Sequence, residues 1–435
     1  MKRFWLFLMS LALVMAFSVS AFAVDVKFSG EYYVAGMYIN KINMNDNSQS
    51  TAFFYQRLRI GTDFIVDPSL KLVTRFDALE RVWGGARSTP GTTVAADSYE
   101  TAAENENIAI DWVYIDYVSP IGTFDAGIMN DGATGTIFGN SYNPAARIKY
   151  SYSIDPVTLN FAYTKIKDQS YSVASSTTNF TDGDNDKYGI EGVYKWKDGK
   201  AGLNVNYYNY ADKRPSSSYK KKYFVFTPYA IAKVGPVALQ AEFNYATGKA
   251  KEYDNGTADV DLQNISAWVD ATADFAPFYL GASVAYVSGD DPGTKDKEEG
   301  GTLNGGRDWN PCLIMFNYYD VANWVGTVSG YDSSKISGPM SNAWFGQLRA
   351  GVKPIPQLDV MMSLSYAKAD KTPADFVSDK YGSEVDLTGT YKITSNLSYI
   401  LGVGYLFTGD YYQGKSGSNE IDNDYLIMNK LTLTF

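Results

Sequence analysis

The feature that most constrains this chain is a period-two alternation of apolar and polar residues, which recurs from Val26 to Phe435. Successive side chains of a β-strand point to opposite faces, so the alternation predicts strands with one apolar and one polar face. Short connections rich in Pro, Gly, Asp and Asn separate many of these segments and predict tight turns. The turns are Asp67-Pro68, Pro120-Ile121-Gly122, Asp155-Pro156, Lys197-Asp198-Gly199, Gly235-Pro236, Ala276-Pro277, Pro354-Ile355-Pro356 and Thr394-Ser395-Asn396.

Long connections, most of them polar, alternate strictly with these turns. They span about 41–52, 84–106, 130–143, 168–186, 212–220, 250–258, 288–342, 370–380 and 411–424. Eight turns and nine loops join eighteen strands, and both chain ends fall on the turn side. This rotation is typical of bacterial barrels, with short periplasmic turns and long extracellular loops. The sequence therefore predicts an all-β fold, a transmembrane antiparallel up-and-down β-barrel of about 18 strands, with 16 as the alternative.

The N-terminus has the pattern of a secretory signal peptide. Lys2 and Arg3 precede an uncharged apolar run, and the run ends in Ala21-Phe22-Ala23, a small-x-small cleavage pattern. We expect residues 1–23 to be the signal peptide and residues 24–435 to form a single barrel domain. The alternative, a membrane-anchoring helix, is less favoured because the run is short for a span.

Composition excludes several kinds of chemistry. The chain has no histidine, which removes Ser-His-Asp catalysis and His-metal sites. Its one cysteine, Cys312, rules out an intramolecular disulfide and is expected to be a small buried hydrophobe. The net charge of −10 argues against nucleic acid as a partner. We expect no cofactor, no metal site and no catalytic residue.

The strands sort their side chains by face. In the segment 146–154, Ile148, Tyr150 and Tyr152 share one face, and Arg147 and Lys149 share the other. Charged residues need water or a partner, so the charged faces are expected to point into a water-filled interior and the apolar faces toward lipid. The candidate pore-lining and constriction residues are Arg57, Arg59, Arg75, Asp77, Arg147, Lys149, Glu191, Glu242, Arg349, Glu384 and Asp386. Arg57, Arg59 and Arg75 are expected to form one wall patch, and opposed basic and acidic walls would create a transverse field.

The loop 288–342 differs from the others because it carries the apolar stretch 309–319. An exposed apolar stretch of this kind would be a liability, so we expect the loop to fold into the barrel or over its mouth and narrow the pore. The rival interpretation is an extra hairpin that stands out of the membrane. The loops 84–106 and 130–143 are further candidates for narrowing the pore.

Several segments resemble Gram-negative porins and alginate-export-like channels. Gln56-Arg57-Leu58-Arg59-Ile60 with Arg75-Phe76-Asp77 resembles the start of these barrels, and 112–117 with 122–127 resembles their next hairpin. The segments 382–387 and 402–410 look like their C-terminal hairpin. The last strand, with Leu431, Leu433 and the terminal Phe435, looks like the signal that the barrel-assembly machinery reads.

The resemblance implies an outer-membrane pore of eighteen or sixteen strands. The function expected is a diffusion porin for ions and small hydrophilic solutes. A substrate-specific channel or polysaccharide exporter is the first alternative, and a structural or partner-binding surface barrel is the second. The expected partners are outer-membrane lipid and lipopolysaccharide, the barrel-assembly machinery and further copies of the chain in a homotrimer.

Overall fold

The computed structural model describes residues 24–45, 47–84, 108–132, 135–168, 183–214, 217–302 and 306–435. The proposed signal peptide and nearly all of the loop 84–106 lie outside the described residues. The described strands are β1 (Asp25–Ile39), β2 (Thr51–Asp67), β3 (Leu70–Val82), β4 (Ile108–Ser119), β5 (Gly122–Asn130), β6 (Pro144–Ile154), β7 (Val157–Lys167), β8 (Asn185–Trp196), β9 (Gly199–Tyr210), β10 (Tyr219–Val234), β11 (Val237–Tyr253), β12 (Val260–Phe275), β13 (Phe278–Val287), β14 (Lys297–Glu298), β15 (Ala343–Ile355), β16 (Leu358–Ala369), β17 (Lys380–Lys392), β18 (Leu397–Thr408) and β19 (Asp424–Thr434).

Eighteen of these strands form one closed antiparallel ring. Each pairs with its neighbour in chain order, and β1 closes the ring by pairing with both β2 and β19. The two-residue strand β14 lies outside the ring, because β13 pairs directly with β15. Closure leaves no unpaired strand edge, which is what a sheet needs in order to cross lipid. The predicted up-and-down barrel of eighteen strands is confirmed.

The predicted turns all lie between paired strands. For example, Asp67 ends β2 and Leu70 begins β3, so Asp67-Pro68 is a tight turn. Gly235, between β10 and β11, has a positive φ of 58°, which a glycine adopts without steric cost. The longest connection between two ring strands runs from Val287 to Ala343, which matches the predicted loop 288–342.

The faces of the strands follow the predicted alternation. On β18, Leu401, Val403 and Phe407 are exposed on the outer surface, whereas Gly404 and Leu406 are buried on the inner face. Exposed large apolar side chains recur on the outer face around the ring. Such a surface would be unfavourable in water and is suited to lipid.

The inner face of β1 departs from the expected polar character. Tyr33, Ala35, Met37 and Ile39 all point inward, and all four are buried. They are covered by residues 306–342, which we call the lumen segment. Because apolar side chains are stabilised by burial, this part of the wall and the lumen segment form one hydrophobic core.

The lumen segment is irregular but well packed. It contains a π-helical turn (Tyr318–Ala322) and a 3₁₀ turn (Tyr331–Ser333), and a second 3₁₀ turn (Asp410–Gln413) from the last loop lies against it. Its buried residues include Trp309, Cys312, Ile314, Met315, Phe316, Val321, Val328, Ile336 and Met340. Among the described residues, no helix is long and apolar enough to span a membrane.

Candidate pore constriction

The first element inside the barrel is a bridging loop, residues 135–143, between β5 and β6. The backbone N–H and the hydroxyl of Thr136 donate to Oε2 of Glu242 on β11, at 2.7 and 2.8 Å. Phe138 stacks on Trp268 of β12, with 5.6 Å between the ring centroids. Five strands separate β5 from β11 in the ring, so the bridging loop crosses the interior of the barrel.

Two glycines allow the bridging loop to approach Glu242. A Cβ on Gly135 would lie 2.4 Å from Oε2 of Glu242, and a Cβ on Gly139 would lie 2.2 Å from Oε1. Gly135 also has a φ of +77°, which disfavours other residues. The small residues are therefore required for the backbone to reach the carboxylate.

The second element is the lumen segment, which is fixed to β17 by Glu384. Its carboxylate accepts the backbone N–H of Ile314 and of Met315, each at 2.7 Å. Asp386, two residues along β17, accepts the hydroxyl of Ser363 at 3.1 Å. The segment is thus held by directed bonds in addition to its apolar contacts.

Glu242, Glu384 and Asp386 therefore lie beneath protein and face no open lumen. Their exposed fractions are 3%, 0% and 3%. The side chains of these acids point inward, as the alternation predicts, but the bridging loop and the lumen segment cover them. Their carboxylates bind backbone N–H groups and a hydroxyl in place of water.

The largest of three neighbouring cavities in the barrel lies along β1 to β4, and we call it the tyrosine chamber. It encloses about 450 Å³. Its lining residues are Tyr33, Arg57, Arg59, Asp77, Glu80, Ala109, Asp111, Tyr142, Arg307, Asn310, Tyr318, Tyr319, Asp320, Asn323 and Lys430. The hydroxyl of Tyr319 donates to Asp308 at 2.6 Å, and burial together with this bond raises the pKa of Tyr319. The phenol therefore stays neutral.

A second cavity, the amide chamber, lies along β4 to β9. It encloses about 290 Å³ and is lined by Trp112, Tyr114, Asp125, Met129, Asn130, Asp131, Arg147, Lys149, Asn160, Ala162, Lys187, Gly189, Glu191, Asn204 and Asn206. Glu191 accepts Nδ2 of Asn160 and the hydroxyl of Tyr229, both at 2.8 Å. The chamber is thus polar on all the strands that form it.

A third cavity, the junction cavity, shares lining residues with each of the other two. It encloses about 190 Å³. It shares Asp131 and Lys187 with the amide chamber and Arg307 with the tyrosine chamber. Here the bridging loop meets the lumen segment, because the backbone N–H of Arg307 donates to Ser141 at 3.2 Å.

Several charged residues of the wall are paired with opposite charges on or beside a neighbouring strand. Arg59 and Asp77 are directly opposite in the β2–β3 register, as are Asp125 and Lys149 between β5 and β6. The N–O distances are 3.3 Å for Arg57–Glu31, 2.6 Å for Arg59–Asp77, 3.3 Å for Arg75–Asp111, 3.2 Å for Lys149–Asp125 and 3.1 Å for Arg147–Asp131. Positive and negative groups therefore alternate along the wall, and the separate basic and acidic walls expected from the sequence are absent from these described pairs.

The three arginines of the expected wall patch lie close together. Arg57 and Arg59 line the tyrosine chamber. The guanidinium of Arg75 lies over the ring of Trp112 at 3.8 Å and over that of Tyr142 at 4.0 Å. Such contacts stabilise a cation beside an aromatic face.

Arg349 is placed differently from the other predicted site residues. Its guanidinium reaches past β13 to Asp270 on β12, with an N–O distance of 2.7 Å. It can do so because Gly281 lies between them on β13, where a Cβ would come within 2.8 Å of the guanidinium. Arg349 lines none of the three cavities.

Several site residues were missed by the sequence reasoning. Asp111 was missed because the β3–β4 pairing shifts register between Arg75 and Phe76, and a bulge breaks the period-two count. Asp131, Tyr142 and Arg307 lie in connections, where alternation gives no signal.

The terminal strand closes the barrel. The backbones of Gly30 and Phe435 exchange two hydrogen bonds, at 2.8 and 3.0 Å. Leu431, Leu433 and Phe435 are exposed on the outer surface. Gly30 makes room for the terminal ring, because a Cβ there would lie 2.4 Å from it.

A closed ring of eighteen strands with an apolar outer face and a charged interior has the fold of a Gram-negative outer-membrane porin. Pseudomonas aeruginosa OccK2 (OpdF), solved in complex with glucuronate, is similar with a TM-score of 0.51 at 12% identity, over 94% of this chain and 97% of that chain. A substituted form of OccD1 (OprD) is similar with a TM-score of 0.50 at 13% identity, over 94% of this chain and 96% of that chain. No protein-family model and no curated protein matches the sequence. At these identities the likeness is one of fold.

Proposed function

We propose that this chain is an outer-membrane channel through which ions and small hydrophilic solutes diffuse passively. The observation that carries the proposal is the set of three neighbouring polar cavities inside a closed barrel with a lipid-type outer face. Shared lining residues place the cavities side by side, in the order tyrosine chamber, junction cavity, amide chamber. We call this series the passage.

The size of the cavities supports small solutes. Their volumes are about 450, 190 and 290 Å³. Water occupies roughly 30 Å³ per molecule, so each cavity has room for about six to fifteen waters or one small organic solute. The lumen segment and the bridging loop would then act as the constriction, and the paired wall charges would supply a hydrated path.

A substrate-specific channel is the second candidate. The small volume of the junction cavity favours it, and OccK2, a barrel of similar fold, was solved in complex with glucuronate. Polysaccharide export is less well supported because the wall carries both signs of charge. A structural or partner-binding role would need apolar side chains presented outward by the loops, and the apolar residues of the lumen segment are buried.

The location and assembly follow from the same proposal. Residues 1–23 would direct export, and the barrel-assembly machinery would read Leu431, Leu433 and Phe435 on the terminal strand. The mature barrel would contact outer-membrane lipid and lipopolysaccharide and associate as a homotrimer. We assign it no catalytic residue, cofactor or metal, and no nucleic-acid partner.

Planar-bilayer conductance of the purified mature protein tests the proposal. Persistently open steps with only a modest ion preference would support passive diffusion, and steps grouped in threes would support a trimer. Steps that one class of solute blocks at low concentration would support the substrate-specific channel. A correctly folded barrel that gives no steps would refute both kinds of channel.

A further inference from the structure

The cations that line the passage lie within salt-bridge distance of an acid, with one exception among the described residues. Arg57, Arg59, Arg147, Lys149, Lys187 and Lys430 each have a carboxylate oxygen within 4 Å. Arg307 has no such partner among the described residues. Its guanidinium lies over the ring of Tyr318 at 4.8 Å, a contact that leaves its charge uncompensated.

The position of Arg307 gives this charge its effect. Arg307 lines both the tyrosine chamber and the junction cavity, the smallest of the three cavities. The lumen segment and the bridging loop meet at this residue through the bond to Ser141. An ion that follows the proposed passage would come close to this residue. A charge acts most strongly where the passage is narrow and water is scarce.

Two acids near the passage have no described cation partner, and neither lines the junction cavity. Asp308 directs its carboxylate to the hydroxyl of Tyr319 at 2.6 Å and lines none of the three cavities. Glu191 is the one lining acid without a described cation partner, and it faces the wider amide chamber. Its carboxylate accepts hydrogen bonds from Asn160 and Tyr229, which are both neutral donors.

We infer that Arg307 determines the charge selectivity of the passage and makes it favour anions, although the chain as a whole has a net charge of −10. The inference rests on the proposed channel function and adds the sign of its selectivity and the residue responsible. Arg307 attracts a small anion into the junction cavity and raises the barrier for a cation. The paired wall charges then carry either ion through the chambers.

The test is the reversal potential of single channels in a KCl gradient centred near about 0.1 M, where the Debye length is about 10 Å. The wild-type protein is expected to favour chloride. Arg307→Gln should lower the chloride-to-potassium permeability ratio by about threefold or more, whereas Arg307→Lys should largely retain it. Raising the salt to about 1 M, where the Debye length is about 3 Å, should shrink the difference between Arg307→Gln and wild type.

Two further variants sharpen the result. Glu191→Gln removes a lining acid and should move selectivity further toward chloride. Lys371→Gln removes the same charge as Arg307→Gln, but Lys371 is paired with Asp291 in the outer loops and should leave the ratio unchanged. Heat-modifiable migration on gels verifies that each barrel is folded.

The outcomes separate the inference from the channel function itself. Conducting channels that favour potassium, or a wild-type permeability ratio in Arg307→Gln, would overturn the role of Arg307 and leave the channel proposal standing. A folded wild-type barrel without any conductance would overturn both.

Discussion

Replacing Glu384 by alanine is expected to release the part of the lumen segment around Cys312. Glu384 accepts two backbone N–H groups at 2.7 Å, from Ile314 and Met315. A buried donor that loses its hydrogen-bond partner costs about 1–3 kcal/mol. Loss of both bonds should therefore weaken local docking by roughly 2–6 kcal/mol. Since 1.4 kcal/mol is a factor of ten, the locally opened population should rise by about 30-fold to 10⁴-fold.

Cys312 provides a direct assay of this opening. It is the only cysteine in the chain, and its side chain is buried in the core between the lumen segment and the wall. A maleimide should label the wild-type barrel slowly, and Glu384→Ala should label faster in proportion to the opened population. Glu384→Gln retains one acceptor oxygen for two donors, so its labelling rate should fall between those of Glu384→Ala and the wild type.

Asp359→Ala is the matched control for Glu384→Ala. Asp359 is also an inward acid, and it accepts the hydroxyl of Tyr279 at 2.9 Å without a described contact to the lumen segment. Its labelling rate should equal that of the wild type. If a folded Glu384→Ala barrel were labelled within about threefold of the wild-type rate, the two carboxylate bonds would not hold the segment, and the reasoning from bond energies would be refuted.

Two further substitutions test close contacts made by glycine. Gly30→Val would place a Cβ about where the ring of Phe435 lies. We expect slower barrel assembly in vitro and a free energy of unfolding reduced by about 1–3 kcal/mol, which is measured as a lower melting temperature. Normal assembly kinetics would contradict this role of Gly30. Gly139→Ala would push the bridging loop away from Glu242. The open-channel current should then become noisier, and the single-channel conductance should change. Unaltered single-channel traces would show that the bridging loop does not border the conducting path.

The ring itself was predictable because its signals are local. Period-two alternation marks each strand, and a residue such as Pro68 or Gly235 marks each turn without reference to the rest of the chain. Even the bounds of the loop 288–342 match the strand ends at Val287 and Ala343. The same local signals assign Arg59 and Asp77 to one face, and the cross-strand pairing then follows from the register.

The interior was less predictable because its contacts join distant parts of the chain. Glu384 and Ile314 are separated by 70 residues, and Thr136 and Glu242 by 106. Alternation shows that both acids point inward, as Arg59 does, but it cannot show which of them a loop will cover. Arg307 lies in a stretch without alternation, so the sequence does not predict where its side chain points. Only the contacts in the structure show that it has no acidic partner among the described residues.

One sequence signal did bear on the interior, and it lies in β1. Tyr33, Ala35, Met37 and Ile39 make the inner face of this strand apolar, although its outer face is apolar as well. A barrel strand that is apolar on both faces needs cover inside the lumen, because an exposed inner face would contact water. The apolar stretch 309–319 also needs to be covered, since it belongs to a loop that would otherwise expose it to water.

The inner face of β1 and the apolar stretch 309–319 therefore cover each other. This limits which mutations can test the interior without damaging the barrel. Deleting the lumen segment would expose the inner faces of β1 and β19, including Met37 and Leu426, to water. Burial of one such side chain contributes about 1.5–3 kcal/mol, so the deletion would cost stability in addition to widening the passage. Glu384→Ala leaves the apolar contacts of the lumen segment in place and removes its two directed bonds to β17. A change in labelling or conductance in that variant therefore reports opening of the segment, whereas the same change after deletion could equally report a damaged barrel.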